Sequence, residues 1–162
     1  MDIAFGDAVT PGIQDAEFPT LLDLPAPYLR TYPRETVVAE KFEAMVRLGI
    51  VNSRMKDFYD LWNLARTHSF DGSLLSQAFT ATFEQRGTQL PSAAPVSLTR
   101  QFLDEPGKQR QWSAFMRRSG TSSDITLEDV VNLLARFLIP PAAAASAGAA
   151  FDKKWPPGGH WP

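Results

Sequence analysis

Two consecutive stretches decide how this chain folds: PRETVVAEKFEAMVRLGI at residues 33–50 and NSRMKDFYDLWNLAR at residues 52–66. Both place apolar residues three and four positions apart, which is the spacing of an amphipathic helix. In the first stretch the proline stands in the first turn, where its missing N–H costs nothing, and Gly49 is a suitable stop. We therefore predict two successive helices, the second running from about Ser53 to Thr67.

Asp57 and Asp60 are unexpected in the second helix, because large apolar side chains surround them in the sequence. An unpaired carboxylate is costly to bury, since its charged form loses hydration. In the first helix Lys41 projects from the apolar stripe, whereas the opposite side, which we expect to face solvent, carries Glu40, Glu43 and Arg47. A lysine and a carboxylate directed inward from the two helices would lower each other's burial cost. Together they could hold a polyphosphate or its metal.

A less specific interpretation of the same residues stays open at this point. Lys41 could extend its ammonium into water from the edge of the stripe. Asp57, near the N-terminus of its helix, would then interact favourably with the helix dipole, and Asp60 would pair with a neighbouring arginine. On this interpretation the chain is a generic helical scaffold, and Lys41 should lie far from Asp57.

The segment from Arg30 to Lys56 carries six basic residues and three acidic ones, beside a net charge of −2 for the whole chain. This local excess could bind phosphate groups or an RNA backbone, and Arg54 within it is a candidate nucleotide-binding residue. It could equally be a solvated helical face, because a charge count does not separate the two. Arg117 and Arg118 are interpreted as a solvated face, with contact to RNA as the alternative.

The chain as a whole predicts an α+β protein that is mostly helical. Residues 1–32 carry strand-like patterns separated by turn signals. Residues 33–152 form the helical domain, and residues 153–162 form a tail rich in proline, glycine and tryptophan that we expect to pack back. Beyond the first two helices, helical segments are predicted near residues 71–85, 98–103 and 108–118, and over a last stretch that ends at Pro140-Pro141. Residues 142–150 could add a short helical segment after the prolines.

Composition excludes several classes of protein. The 162 residues, 44% of them hydrophobic, suffice for a packed core, so wholesale disorder is excluded. The absence of cysteine excludes disulfides and thiolate metal sites, and two histidines argue against zinc. No stretch reaches the roughly 18 apolar residues of a membrane span, and the N-terminus has no basic region typical of a signal peptide. We expect a cytoplasmic protein.

The two helices resemble the bacterial AbiEii/AbiGii family of nucleotidyltransferase toxins, the toxin halves of type IV toxin–antitoxin systems linked to abortive infection of phage-infected cells. In that family a Glu-Lys-hydrophobic-x-Ala helix precedes an Arg-Asp-hydrophobic-Tyr-Asp-hydrophobic helix. Here the segments read EKFEA at 40–44 and KDFYDL at 56–61, with lysine in place of the arginine. DIAFGD at 2–7 is similar to the family's strand that carries a late acidic residue. Asp2 is the candidate for that acidic residue. The resemblance spans most of the chain and is most specific at residues 33–66.

The resemblance implies a nucleotidyltransferase-like fold, of which this chain supplies the C-terminal portion, with short N-terminal strands followed by a helical bundle. It implies transfer of NMP from an NTP to an acceptor, which in related toxins is the 3′ end of tRNA. Mg²⁺ is the implied cofactor and an antitoxin protein the implied partner. By position, Lys41 would be a catalytic residue that contacts the NTP phosphates, and Asp57 would be a catalytic or orienting carboxylate. Asp60 would be its structural companion and, with Lys41 and Arg54, a nucleotide-binding residue. Asp2 would be a catalytic residue and part of a metal site.

The family's first motif, a Gly-Ser turn followed by Asp-x-Asp on a strand, is not found, because no Asp-x-Asp occurs in the sequence. Metal ions held by that pair neutralise charge during phosphoryl transfer. We therefore expect a C-terminal part of such an enzyme, from a truncated gene or a misplaced start codon, that is inactive alone. The alternative is a non-catalytic helical module that binds an antitoxin, RNA or a partner subunit. An in-frame Gly-Ser…Asp-x-Asp segment upstream of codon one would favour the enzyme.

Overall fold

A computed structural model describes residues 14–17, 28–121 and 124–162 of the chain, and its architecture is the predicted one, α+β and mostly helical. The strands β1 (Gln14–Glu17) and β2 (Tyr28–Thr31) pair antiparallel, with Gln14 opposite Thr31. In the part of the chain that the structure describes, six α-helices follow: α1 (Arg34–Leu48), α2 (Met55–Thr67), α3 (Gly72–Arg86), α4 (Arg100–Asp104), α5 (Lys108–Ser119) and α6 (Leu127–Ser146). Across the described residues, no helix is both long and apolar enough to cross a membrane.

The core lies where α1 packs on α3 and where α6 covers α2 and α3. Val38, Phe42 and Met45 follow the predicted helical spacing and are fully buried. The ring of Phe42 lies 5.1 Å from that of Phe79 in α3, so the apolar stripe of α1 is turned toward α3. The stripe predicted from the sequence is thus the surface that fixes α1 on the bundle.

The ends of the first three helices agree closely with their local sequence signals. Pro33 precedes α1, and Gly49 ends it with a positive φ of 55°, a conformation that suits glycine. Asp71 caps α3, because its side chain accepts hydrogen bonds from the backbone N–H groups of Ser73 and Leu74. The second helix begins at Met55, two residues later than predicted.

The prediction that the last helix ends at Pro140-Pro141 is wrong, because α6 continues through both prolines to Ser146. A proline inside a helix lacks the N–H that would bond to the carbonyl four residues earlier. For Pro141 that carbonyl belongs to Phe137, and it accepts a hydrogen bond of 3.0 Å from the indole Nε1 of Trp161 instead. A donor from the tail therefore replaces the hydrogen bond that the proline removes.

The C-terminal tail packs against the bundle through its tryptophans. Trp155 is fully buried, and its strand, β4 (Lys154–Trp155), pairs antiparallel with β3 (Phe70–Asp71). The indole Nε1 of Trp155 donates to the carbonyl of Ala65 at 2.7 Å, a group near the C-terminus of α2. The tail approaches so closely that a Cβ on Gly72 would lie 2.8 Å from the carbonyl oxygen of Lys153.

Candidate functional site

Lys41 joins α1 to α2 through two ion pairs. Its Nζ lies 2.7 Å from Oδ1 of Asp57 and 3.2 Å from Oδ2 of Asp60. The two aspartates are three residues apart in α2, so both side chains project from one side of the helix. The expectation of the generic scaffold that Lys41 lies far from Asp57 is therefore wrong.

Two further cations complete the group, which we call the Lys41 cluster: Lys41, Arg54, Lys56, Asp57 and Asp60. Arg54 Nε lies 2.9 Å from Oδ2 of Asp57, and Lys56 Nζ lies 2.7 Å from Oδ2 of Asp60. Three positive side chains thus surround two negative ones, and the cluster retains one positive charge. The backbone N–H of Arg54 donates to Oδ1 of Asn52, which fixes the turn before α2.

The centre of the cluster is largely removed from water while its rim is open. The side chains of Asp57 and Lys41 are 9% and 23% exposed, whereas that of Lys56 is 74% exposed. Burial by itself lowers the pKa of Lys41, but the hydrogen bonds and negative charges of Asp57 and Asp60 outweigh it and raise that pKa above 10.5. Lys41 is therefore a permanent cation at neutral pH and cannot serve as a general base there.

The carboxylates of the cluster do not fit a magnesium site. Both oxygens of Asp57 contact a cation, and Oδ2 of Asp60 contacts two. Mg²⁺ would need such oxygens as its own ligands. Within the described ranges no group of three or more acidic or histidine side chains could hold a metal ion. Asp2, the predicted catalytic residue and partial metal ligand, lies outside the described residues.

A second buried charge was not predicted. Glu43 was expected to face solvent, but it is fully buried, so that expectation is wrong. Its carboxylate accepts hydrogen bonds from Thr88 at 2.6 Å, from Arg86 at 3.0 Å and from Arg47 at 3.2 Å. Arg86 and Thr88 lie more than forty residues further along the chain, so helical spacing contains no signal for these contacts. These contacts of Glu43 hold α1 against the end of α3. Glu43 lies two residues after Lys41 in the sequence.

A cleft of about 410 Å³, which we call the α2–α5 cleft, adjoins the Lys41 cluster. Its walls are the turn and first residues of α2 on one side and α5 on the other. Lys108 ties the two walls together, because its buried Nζ donates to the backbone carbonyl of Asn52 at 2.7 Å. The lining residues are Ser53, Arg54, Met55, Lys56, Gln111, Ala114, Phe115 and Arg118.

Comparison with known proteins gives one family. The family model described as nucleotidyl transferase AbiEii toxin, type IV TA system, matches residues 1–136, which include the whole Lys41 cluster and the α2–α5 cleft. No curated protein and no solved structure matches the chain. The match covers well over half of the sequence, including the segments on which the resemblance was based.

Proposed function

This chain belongs to the AbiEii family of nucleotidyl transferase toxins of type IV toxin–antitoxin systems, and from that premise we propose that its Lys41 cluster binds the triphosphate of an NTP. The reaction of the complete site would be transfer of NMP from that nucleotide to an acceptor such as tRNA. A cognate antitoxin protein would be its partner. We place this activity in the bacterial cytoplasm, in abortive infection of phage-infected cells.

The observation that supports nucleotide binding is the position of the Lys41 ammonium between two aspartates. Its contacts with Asp57 and Asp60 keep it charged and in one place. Asp57 contacts Arg54 as well, so one carboxylate orients two cations toward the same region. A lysine ammonium binds phosphate as a compact point charge, and a guanidinium adds directional donors. Lys41 would contact phosphate oxygens, while Asp57 and Asp60 would position the cations.

Binding does not by itself provide catalysis. The cluster has no free pair of carboxylates for Mg²⁺, and the sequence contains no Asp-x-Asp. Transfer of this kind depends on metal ions that stabilise charge between the attacking and leaving oxygens. We therefore expect this 162-residue chain to bind nucleotide without transferring it.

Calorimetric titration of the purified chain with each of the four NTPs, in the presence of Mg²⁺, tests the proposal. Lys41→Ala should weaken binding by roughly tenfold or more, since a hydrogen bond to a charged group contributes about 1.5–3 kcal/mol. Lys153→Ala is the matched control, because Lys153 is an exposed lysine outside the cluster. Circular dichroism would confirm that both variants fold.

Two results would contradict the proposal. Equal NTP affinity of the Lys41→Ala variant and the wild type would remove the role of Lys41. Transfer of labelled NMP to tRNA by the purified chain would show that the expected inactivity is wrong.

A second candidate function is the non-catalytic module that binds an antitoxin, RNA or a partner subunit. The poor fit of the cluster's carboxylates to a metal favours it, because both oxygens of Asp57 and Oδ2 of Asp60 already contact cations. This candidate predicts no NTP binding in the same titration. The calorimetric experiment therefore separates the two.

A further inference from the structure

One side of α5 lines the α2–α5 cleft. Gln111, Ala114, Phe115 and Arg118 are spaced by three, four and seven residues, so they form a single helical face. The opposite wall is the continuous segment 53–56 at the start of α2. A cleft of about 410 Å³ is of the size that holds a small ligand or one unit of a chain.

The cleft is positively charged. Its lining includes Arg54, Lys56 and Arg118 and no acidic residue. The α5 sequence, KQRQWSAFMRRS, likewise contains four basic residues and no acid. Arg118 is exposed and has no hydrogen bond or ion pair with any residue of the described chain, so its charge is available to a ligand. Arg54 and Lys56 are each held by an aspartate but remain 55% and 74% exposed.

The cleft also offers groups suited to a nucleobase. Phe115 is half-buried at its wall, and its ring packs 5.7 Å from Tyr59 and 5.6 Å from Trp112, which fixes its orientation. Cations that follow a phosphate backbone, combined with a fixed aromatic surface, are the usual composition of a site for single-stranded nucleic acid. Gln111 adds a hydrogen-bonding group on the same wall, and Ser53 adds one on the opposite wall.

We propose that the α2–α5 cleft binds the phosphate backbone of a single-stranded nucleic acid, whose end is the acceptor for the nucleotide held by the Lys41 cluster. The inference rests on the proposed function for the identity of the acceptor. The connection is structural: Arg54 and Lys56 line the cleft and also contact Asp57 and Asp60. A strand bound along α5 would therefore reach the cluster directly, with Arg118 contacting a phosphate further along it.

Fluorescence anisotropy with a labelled single-stranded RNA oligonucleotide, without NTP, tests the inference in the full chain. Arg118→Gln should weaken binding by roughly threefold to tenfold and reduce the slope of log K against log salt by about 0.7, which corresponds to one lost phosphate contact. Arg136→Gln is the control, because Arg136 is an exposed arginine of α6 that does not line the cleft.

A second pair of variants avoids dependence on one arginine. Gln111→Glu places a negative charge in the cleft and should weaken RNA binding. Gln109→Glu adds the same charge to an exposed position of α5 outside the cleft and should have little effect. Both positions are exposed, so neither change is expected to disturb folding.

The outcomes distinguish the possible sources of phosphate. Loss of NTP affinity in Arg118→Gln with unchanged RNA affinity would assign the cleft to the triphosphate and overturn the inference. Failure of the wild type to bind RNA would also overturn it and point to an acidic protein partner. Equal binding of a fully paired RNA hairpin would contradict the preference for a single strand. If Lys41→Ala leaves NTP affinity unchanged while Arg118→Gln still weakens RNA binding, the proposed function fails and the cleft remains an RNA site.

Discussion

Replacement of Trp161 by phenylalanine tests how the tail stabilises a helix that contains two prolines. The indole N–H of Trp161 donates to the carbonyl of Phe137. In an uninterrupted helix that carbonyl would accept from the N–H of residue 141, which proline lacks. Phenylalanine keeps an aromatic ring near the ring of Phe137, whose centroid lies 6.1 Å from that of Trp161, but removes the donor. The main effect is that the carbonyl of the fully buried Phe137 is left without this partner, which should cost about 1–2 kcal/mol of unfolding free energy.

A double-mutant cycle isolates that hydrogen bond. In the Pro141→Ala background, residue 141 regains an N–H that can donate to the Phe137 carbonyl within the helix, so Trp161→Phe should cost less by about 1 kcal/mol. Pro140→Ala is the matched control, because Pro140 deprives the carbonyl of Arg136 and not that of Phe137. In that background Trp161→Phe should cost as much as in the wild type.

Urea unfolding followed by far-ultraviolet circular dichroism measures all six proteins and avoids the change in tryptophan fluorescence. The coupling between positions 141 and 161 is the decisive quantity. If Trp161→Phe costs the same in the wild type and in both alanine backgrounds, the indole contributes by packing alone, and the explanation for the uninterrupted helix is wrong.

Two further predictions concern single side chains. Glu43→Gln should lower the unfolding free energy by about 3 kcal/mol, because the buried carboxylate accepts hydrogen bonds from Arg47, Arg86 and Thr88. The control is Glu84→Gln, at an exposed position of α3. It should change the unfolding free energy by less than about 0.5 kcal/mol in the same urea titration. Asp71→Ala should cost about 1 kcal/mol at neutral pH by removing the cap of α3. The hydrogen bond from the Ser73 hydroxyl lowers the pKa of Asp71 below its ordinary value of 3.8. The stabilisation by the charged cap is therefore fully present above pH 3.8 and is lost as the pH falls through the lowered pKa. Urea midpoints of wild type and variant should therefore converge in acid, and a constant difference down to the lowest pH would contradict the role of the charge.

Most helix boundaries could be predicted from the sequence because their causes are local. The apolar spacing of α1, the glycine that ends it and the aspartate that caps α3 all act within one or two turns. The family resemblance likewise depends on two short motifs within residues 33–66, and the family match includes that segment.

The candidate site could be predicted only as a choice between alternatives. The pattern permitted Lys41 either to extend into water or to contact Asp57. The packing of α1 beside α2 brings Nζ of Lys41 to 2.7 Å from Oδ1 of Asp57. The same pattern placed Glu43 in solvent, where the structure buries it against Arg86. The α2–α5 cleft was not predicted, because its walls come from segments more than fifty residues apart.

By itself, then, the amino-acid sequence determined the helices α1, α2 and α3, the apolar stripe of α1 and the family. The tertiary structure alone decided which charges meet, how α6 continues through Pro141, and where a cleft opens beside the Lys41 cluster. The physical reason is the range of the interactions. Helical periodicity and capping depend on neighbours a few residues away, whereas an ion pair or a replaced hydrogen bond depends on side chains that only the packing of distant segments brings together.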